Sequence, residues 1–348
     1  MHTAVRKGLP IKEAGPAMTQ PTTAPGFVPR ISCPVCAGAD LTRIYTARYD
    51  EDPVRALVQS NFGRQGVIDW SLLAGVPFEV DKCRTCDLLF QVQTPNDAML
   101  GVIYTQMISA EFLDEYEHGL LTLHEFHRIA GEFTVLFERI GKHPADITML
   151  DFGVGQGRWA RVARGMGATV YVTEIGDDKK RLARTLGLEV IEDADVDTMT
   201  FDLVHTEQVL EHLVHPGRDF ARLARATAPG GLFKAAIPDR GKLEELLQTK
   251  GLPTEAMFAT GGAKAIPGET EAFASIQPLE HLNAFSEKTI AWLAAHNGLR
   301  TVSEVRRRSI SVETGGAGGL IRGAKKVGVE LVKAAMKPKI GYYLLERA

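Results

Sequence analysis

The chain has 348 residues, long enough for two domains and for a core that needs no staples. Hydrophobic residues make up 45% and charged residues 24%, an ordinary globular balance that excludes a fibrous or wholly disordered chain. Lys plus Arg number 40 against 43 Asp plus Glu, a formal net charge of −3, so composition makes no case for a nucleic-acid partner; no apolar run approaches a membrane span.

Residues 1–28 are rich in Pro, Thr, Ala and Gly without periodicity and are expected to form a disordered tail. Their two early basic residues are not followed by a continuous apolar stretch, so no secretory signal is expected. A cytoplasmic, reducing setting is the expectation, and the four cysteines then need a role other than disulfides. All four fall into two C-x2-C pairs, Cys33–Cys36 and Cys83–Cys86. Two such knuckles complete a tetrahedral four-sulfur site, so residues 29–96 read as a zinc-binding module. With every ligand supplied by protein, no position is open for a catalytic water, and the expected Zn2+ is structural. The runs 76–83 and 87–95 read as strands flanking the second knuckle.

Residues 97–144 turn helical. Leu123, Phe126, Ile129, Ala130, Phe133, Leu136 and Phe137 follow a 3.6-residue period and predict one amphipathic helix. This segment is expected to link the zinc module to the C-terminal domain and to roof that domain's pocket. His124 and His127 lie one turn apart on it, with no third ligand spaced to help them, and read as helix surface or pocket wall.

From 145 to 348 the pattern alternates strand and helix, as a doubly wound α/β sheet requires. Strands are expected at 147–151, 168–173, 188–192, 201–204, 232–237 and 299–306, with helices at 157–165, 177–186, 217–228 and 286–297. The C-terminal GYYLLERA reads as a last strand inserted antiparallel. The interruption at 240–278 reads as a lid insertion. The first strand runs into Asp151, Phe152, Gly153, Val154, Gly155, Gln156 and Gly157, and the next ends in Glu174. Alternate glycines bring the backbone close to a ligand, and the helix after them points its free N–H groups there. A glutamate about twenty residues on is placed to accept from a ribose diol. The acid at the strand end would repel a pyrophosphate but suits a ligand carrying an amino group and a sulfonium.

This D-x-G-x-G-x-G spacing with its distant glutamate resembles motif I of the class I S-adenosylmethionine (SAM) dependent methyltransferases, whose domain resemblance spans 145–348. It implies a seven-stranded Rossmann-like sheet and a cofactor site built from Asp151, Phe152, Gly153, Gly155, Gly157, Glu174 and Ile175. It also implies Glu207, Gln208 and Val209 beside the cofactor, and Asp193 or Asp195 at the adenine amine. A base that removes the acceptor's proton belongs at the carboxyl ends of the parallel strands. His205, His212 and His281 qualify by position. His281, with Glu280 beside it, is the expected general base; His205 is a further catalytic candidate, and His212 a substrate-side or structural one.

The whole run from Cys33 onward resembles the sugar methyltransferases that carry an N-terminal zinc module. The residues that carry this likeness are VPFEVDKCRTCDLLFQ, Tyr104, DFGVGQG and EHLNAFS. It implies that Glu280 and His281 lie in the active site and that Tyr104 touches substrate. Where that group has a tyrosine shortly before the pair, this chain has Gln277, Pro278 and Leu279, so C- and O-methylation of a sugar or polyol both fit. The expectation is a methyltransferase acting on a small, sugar-containing acceptor. A zinc-ribbon RNA methyltransferase and a non-catalytic SAM-binding regulator are the alternatives. The glycine-rich, basic stretch 314–339 reads as a solvated helix or a contact for a phosphorylated substrate.

Overall fold

The computed structural model describes residues 24–254, 269–302 and 342–348. Part of the predicted insertion, the second half of the strand expected at 299–306 and the basic stretch 314–339 lie outside these residues. Among the described residues no helix is long and apolar enough to cross a membrane.

The N-terminal part opens with β1 (Phe27–Pro29), so order begins before the predicted end of the tail. It continues through β2 (Leu41–Arg48), α1 (Val54–Phe62) and β3 (Pro77–Cys83). The strand expected over 87–95 is two: β4 (Leu89–Gln91) and β5 (Gln93–Pro95). Helix α1 lies in a stretch whose sequence showed no clear pattern. Its buried Val54, Leu57, Val58 and Phe62 nonetheless keep to one helical face.

Helix α2 (Asp97–Val102), capped by Asn96, runs into a π turn at Ile103–Met107. Then come α3 (Ala110–Leu120) and α4 (Leu123–Ile140). Thr122 caps α4 by accepting from Glu125 N, and Gly141 ends it in the left-handed conformation. The predicted apolar stripe is the face it buries: Ile129, Phe133, Leu136 and Phe137.

The second half folds as β6 (Thr148–Phe152), α5 (Arg158–Gly165), β7 (Thr169–Thr173), α6 (Asp177–Thr185) and β8 (Glu189–Val190). It goes on as β9 (Phe201–Glu207), α7 (Pro216–Ala226), β10 (Thr227–Ala236), α8 (Leu243–Thr249) and α9 (Glu269–Ala274). The last elements are β11 (Asn283–Ala284), α10 (Glu287–His296), β12 (Leu299–Thr301) and β13 (Tyr343–Arg347). Seven strands form one sheet in the order β12-β13-β10-β9-β6-β7-β8. It is largely parallel, with β13 antiparallel to both of its neighbours, as GYYLLERA predicted. This is a Rossmann-like α/β sheet covered by helices on both faces.

Two features matter for the site. Strand β11 does not join the large sheet; it extends the N-terminal one, in the order β11-β4-β3-β2, with Asn283 opposite Phe90. The described ends of the 240–278 insertion are packed against the N-terminal part. Leu243, Leu246 and Leu247 of α8, with Phe273 and Ile276, share an apolar core with Tyr49, Phe62 and Phe78 of the N-terminal part. The cysteines likewise merge with the core of the large sheet, beside Phe220, Phe233 and Phe285. Burial of this kind, rather than a linker, joins the two halves.

Candidate active site

Strand β6 delivers the glycine loop, and each glycine adopts a positive φ: 76° at Gly153, 53° at Gly155 and 75° at Gly157. A Cβ at Gly153 would stand 2.9 Å from Val209 Cγ2, so this glycine is required by the chain itself. A Cβ at Gly155 would meet nothing within 4 Å, so the loop leaves a space there. Glu174, at the end of β7, accepts from Gly155 N at 3.0 Å and Ile175 N at 2.8 Å, which fixes its carboxylate at the edge of that space. Ile175 is 94% exposed, an apolar side chain held out beside the carboxylate. Gln208, at φ 55°, and Val209 come after β9 on the other side of the loop. Asp114 of α3 accepts from Gln156 Nε2 at 3.0 Å, and Arg158 pairs with Glu125 at 3.3 Å, so α3 and the start of α4 are tied to the loop and the helix after it.

Beneath the loop lies a buried row of charge. Asp151, His205 and Lys234 are register partners on β6, β9 and β10. Lys234 is fully buried, with Nζ 2.7 Å from Glu132 Oε1, 2.8 Å from Glu207 Oε2 and 3.1 Å from His205 Nε2. An ammonium can only donate, so His205 Nε2 accepts and its proton sits on Nδ1, 2.6 Å from Asp151 Oδ1. Lys234 also lies 3.7 Å from the centroid of the Trp159 ring. His205 therefore has no nitrogen left for an acceptor and no access to one: the expectation that it is catalytic is corrected, because the lysine and Asp151 hold it. Asp151 and Glu207 belong to the same row. Each adenine candidate already accepts one hydrogen bond from the chain. Asp193 accepts from Arg222 Nη1 at 2.9 Å, and Asp195 accepts from Glu192 N in a capping box on the turn after β8.

The second cluster forms where β9 leads into the turn Leu210–His212 and where the chain returns before β11. Glu280 ends a tight turn in which its N–H donates to Gln277 O and Gln277 N donates to His281 O. Gln91 Nε2, from the N-terminal sheet, donates to both Gln277 O (2.5 Å) and His281 O (2.9 Å) and so clasps that turn. Asn283 Nδ2 donates to Glu211 O at 3.2 Å and Leu213 O at 2.7 Å, while its Oδ1 accepts from Arg30 Nη1 at 3.0 Å. The two turns are thereby tied together, and the rings of His212 and His281 meet edge to face with centroids 4.6 Å apart.

His281 Nδ1 donates to Ala274 O at 2.5 Å, which leaves Nε2 with a free lone pair. Burial pushes the His281 imidazole down to about 4 and the Glu280 carboxyl up to about 7, the latter opposed by a hydrogen bond from Asn61. Glu211 is fully buried and its carboxyl is raised well above the usual range by that burial. Tyr104, on the π turn, is 45% exposed. Burial of its hydroxyl end raises the phenol, and the carboxylates of Glu280, Glu211 and Glu174 act in the same direction. Tyr104, Glu280 and Glu174, from three separate stretches of chain, are thus close enough to act on one another electrostatically. Asn61, Gln91, Arg30, Asn283 and Lys234 were not singled out from the sequence. Gln91 and Asn283 lay inside quoted motifs, but none of the five has a spacing that announces its partner. His124 and His127 are exposed on α4.

The four cysteines meet as paired: Cys33 Sγ is 3.5 Å from Cys86 Sγ, and Cys36 Sγ is 3.4 Å from Cys83 Sγ. Each knuckle ends in a left-handed residue, Ala37 or Asp87. The thiol of Cys86 holds Cys33 down to about 5, while burial pushes Cys36 up to about 11. Four sulfurs so close share little negative charge by themselves, and a tetrahedral cation at about 2.3 Å from each would let all four ionise. The donor set fits such an ion. Asp87 continues from Cys86 into a network with Lys82 (3.4 Å), Arg240 (3.2 Å) and Ser286 Oγ (2.8 Å), the cap of α10.

A family model described as "Methyltransferase domain" matches residues 122–304, just over half of the chain, and the protein belongs to that family. It is an enzyme, a SAM-dependent methyltransferase, and the open glycine loop with its fixed Glu174 fits the nucleoside of that cofactor. Several solved structures are distantly similar. DesVI of Streptomyces venezuelae is 18% identical with a TM-score of 0.31, over 36% of this chain and 55% of DesVI. A SAM-dependent methyltransferase of Mesorhizobium loti is 16% identical with a TM-score of 0.36, over 62% and 98%. The plantazolicin methyltransferase BpumL, solved with S-adenosylhomocysteine, is 11% identical with a TM-score of 0.42, over 72% and 94%. No curated protein matches the chain significantly.

Proposed function

We propose that the enzyme methylates a small polar acceptor that contains a sugar or sugar-like polyol, with Zn2+ in the four-cysteine site as a structural ion. SAM supplies an electrophilic methyl group on its sulfonium. The chain's part is to hold donor and acceptor in line, keep water away, and take the acceptor's proton. Glu174 accepts from the ribose, Ile175 lies against the adenine side, and the Gly153–Gly157 backbone allows close approach. The observation that supports the acceptor reading is that Tyr104 lies near enough to feel the carboxylates of Glu280, Glu211 and Glu174, with His281 next to Glu280 in the chain. A tyrosine hydroxyl, a carboxyl and an imidazole suit a hydroxyl-rich ligand and leave little apolar surface for an aromatic one. His281 Nε2, with its lone pair free, takes the proton, and Glu280 orients the acceptor's hydroxyl. The zinc site holds the knuckle against α7 and, through Asp87 and β4, supports the strand just after His281.

The test is release of S-adenosylhomocysteine with a panel of nucleotide sugars and free polyols, beside tRNA and rRNA. Turnover on a sugar-containing acceptor, lowered at least about 10²-fold in His281→Gln with unchanged SAM affinity, supports the reading. Turnover confined to RNA, or undiminished in that variant, would sink it.

A further inference from the structure

Glu211 is the least explained group in the molecule. It is 0% exposed, yet neither carboxylate oxygen has a hydrogen-bond partner. Buried carboxylates are otherwise paired, hydrogen-bonded or bound to a cation. Next to it His212 keeps a buried Nδ1 that also lacks a partner. Across from both, His281 has its Nδ1–H committed to the carbonyl of Ala274, so Nε2 points away as an acceptor. One ligand-capable atom from each of the three lies within 4.8 Å of the others.

From this geometry we infer that Glu211, His212 and His281 form a second metal site, which takes a divalent first-row cation at the acceptor side of the pocket. One carboxylate and two imidazoles are a donor set that suits such ions and leaves coordination positions open. The hydrogen bond from His281 Nδ1 to a backbone carbonyl is the outer support that metal-bound histidines have, fixing tautomer and ring orientation. The site is also built in advance. Asn283 binds the carbonyls of Leu210, Glu211 and Leu213 and so fixes the turn that carries two ligands against the segment that carries the third. Arg30 Nη2 adds a bond to Val214 O at 2.7 Å. The site differs from the four-cysteine one in every ligand and in hardness, so a hard ion distinguishes the two.

In chemical terms the open positions suit two neighbouring oxygens of one ligand, a vicinal diol or an α-hydroxy ketone. This part rests on the proposed acceptor; occupancy by the cation does not. With a cation bound, His281 is a ligand rather than a free base. The cation itself then makes a bound hydroxyl acidic, its proton passing to water.

The probe is Mn2+, which thiolates take poorly, titrated into the full-length zinc-loaded enzyme and followed by electron paramagnetic resonance and calorimetry. One Mn2+ should bind per chain, with affinity at least about tenfold weaker in Glu211→Gln and His281→Gln. Because a buried variant can misfold, His212→Gln, at a half-buried position, is tested as well, with circular dichroism on each. Nitrogen hyperfine coupling from two imidazoles, reduced in the histidine variants, supports the assignment. Absence of binding in the wild type for both Mn2+ and a second equivalent of Zn2+ overturns it. So does full retention in well-folded variants. Activity separates this inference from the reading it builds on. Turnover on a sugar that is unchanged by chelation overturns the metal site and leaves His281 as the base. Cation binding without turnover on any sugar leaves the site and removes the acceptor.

Discussion

Lys234 offers the sharpest test of how the cofactor side is held together. Its ammonium is fully buried, in contact with Glu132 at 2.7 Å, Glu207 at 2.8 Å and His205 at 3.1 Å. Replacing it by Met keeps the volume and the contact with Trp159 but removes the only buried cation in the row. Glu132 would keep just Arg128, at 3.4 Å, and His205 Nε2 would lose its donor. Removing one partner of a buried pair costs about 3–5 kcal/mol, because the other charge stays uncompensated. Two carboxylates depend on this one lysine, so the upper part of that range is expected. Removing both charges together costs less, since an apolar pair of similar shape is often nearly neutral. Lys234→Met with Glu132→Gln should therefore recover at least half of the loss. Urea denaturation, followed by circular dichroism, measures both variants and, with Glu132→Gln alone, closes the double-mutant cycle. A single variant within about 1 kcal/mol of wild type would refute the account, as would a double variant no more stable than the single.

The two central glycines should separate folding from binding. Gly153→Ala, whose Cβ meets Val209, should lower stability by about 1–2 kcal/mol or more, whereas Gly155→Ala should pay only the left-handed backbone cost and lose SAM binding, as calorimetry can show. Gln91→Ala leaves two carbonyls of the Glu280 turn with only their bonds inside the turn and takes the acceptor from the buried Tyr49 hydroxyl; a loss of about 1–3 kcal/mol is expected, with turnover falling and SAM affinity unchanged. Asp202 is lowered below the usual carboxylate range: burial would raise it, but Lys142 and Thr148, at 2.6 and 3.0 Å, outweigh that. A lowered folded value stabilises above the unfolded pKa, near about 3.9, and is lost as pH falls through the folded value. Asp202→Asn should therefore be less stable than wild type at neutral pH, and the gap should close below about pH 4, as pH-dependent melting would reveal.

The large sheet was legible because its strands are continuous apolar runs and its turns carry glycine at fixed offsets. Glu174 could be placed for the same reason: its distance from the glycine loop is set by one β-α-β unit. The paired cysteines were legible through local spacing alone. What the sequence did not reveal are relations across long separations. Nothing near Gln91 indicates that its amide clasps a turn 186 residues away, and nothing in LFKAAIP marks Lys234 as the centre of a buried ionic row. His205 misled because position along a parallel strand says which end faces the pocket but not which face of the sheet a side chain takes. Nothing in the sequence showed that the short β8 gives way at once to a turn in which Asp195 caps the backbone and Asp193 pairs with Arg222.

Strand β11 has only two residues, yet it is hydrogen-bonded to β4 in a sheet otherwise made by the first hundred residues. The wall beside His281 is thus supplied by one part of the chain and the nucleoside cradle by another. Alterations around Asn61, Gln91 and Tyr104 can then remodel what is accepted while the donor's berth stays as it is. Because the first hundred residues also share an apolar core with the large sheet, their loss would uncover Phe220 and Phe233 as well and would not leave the berth intact.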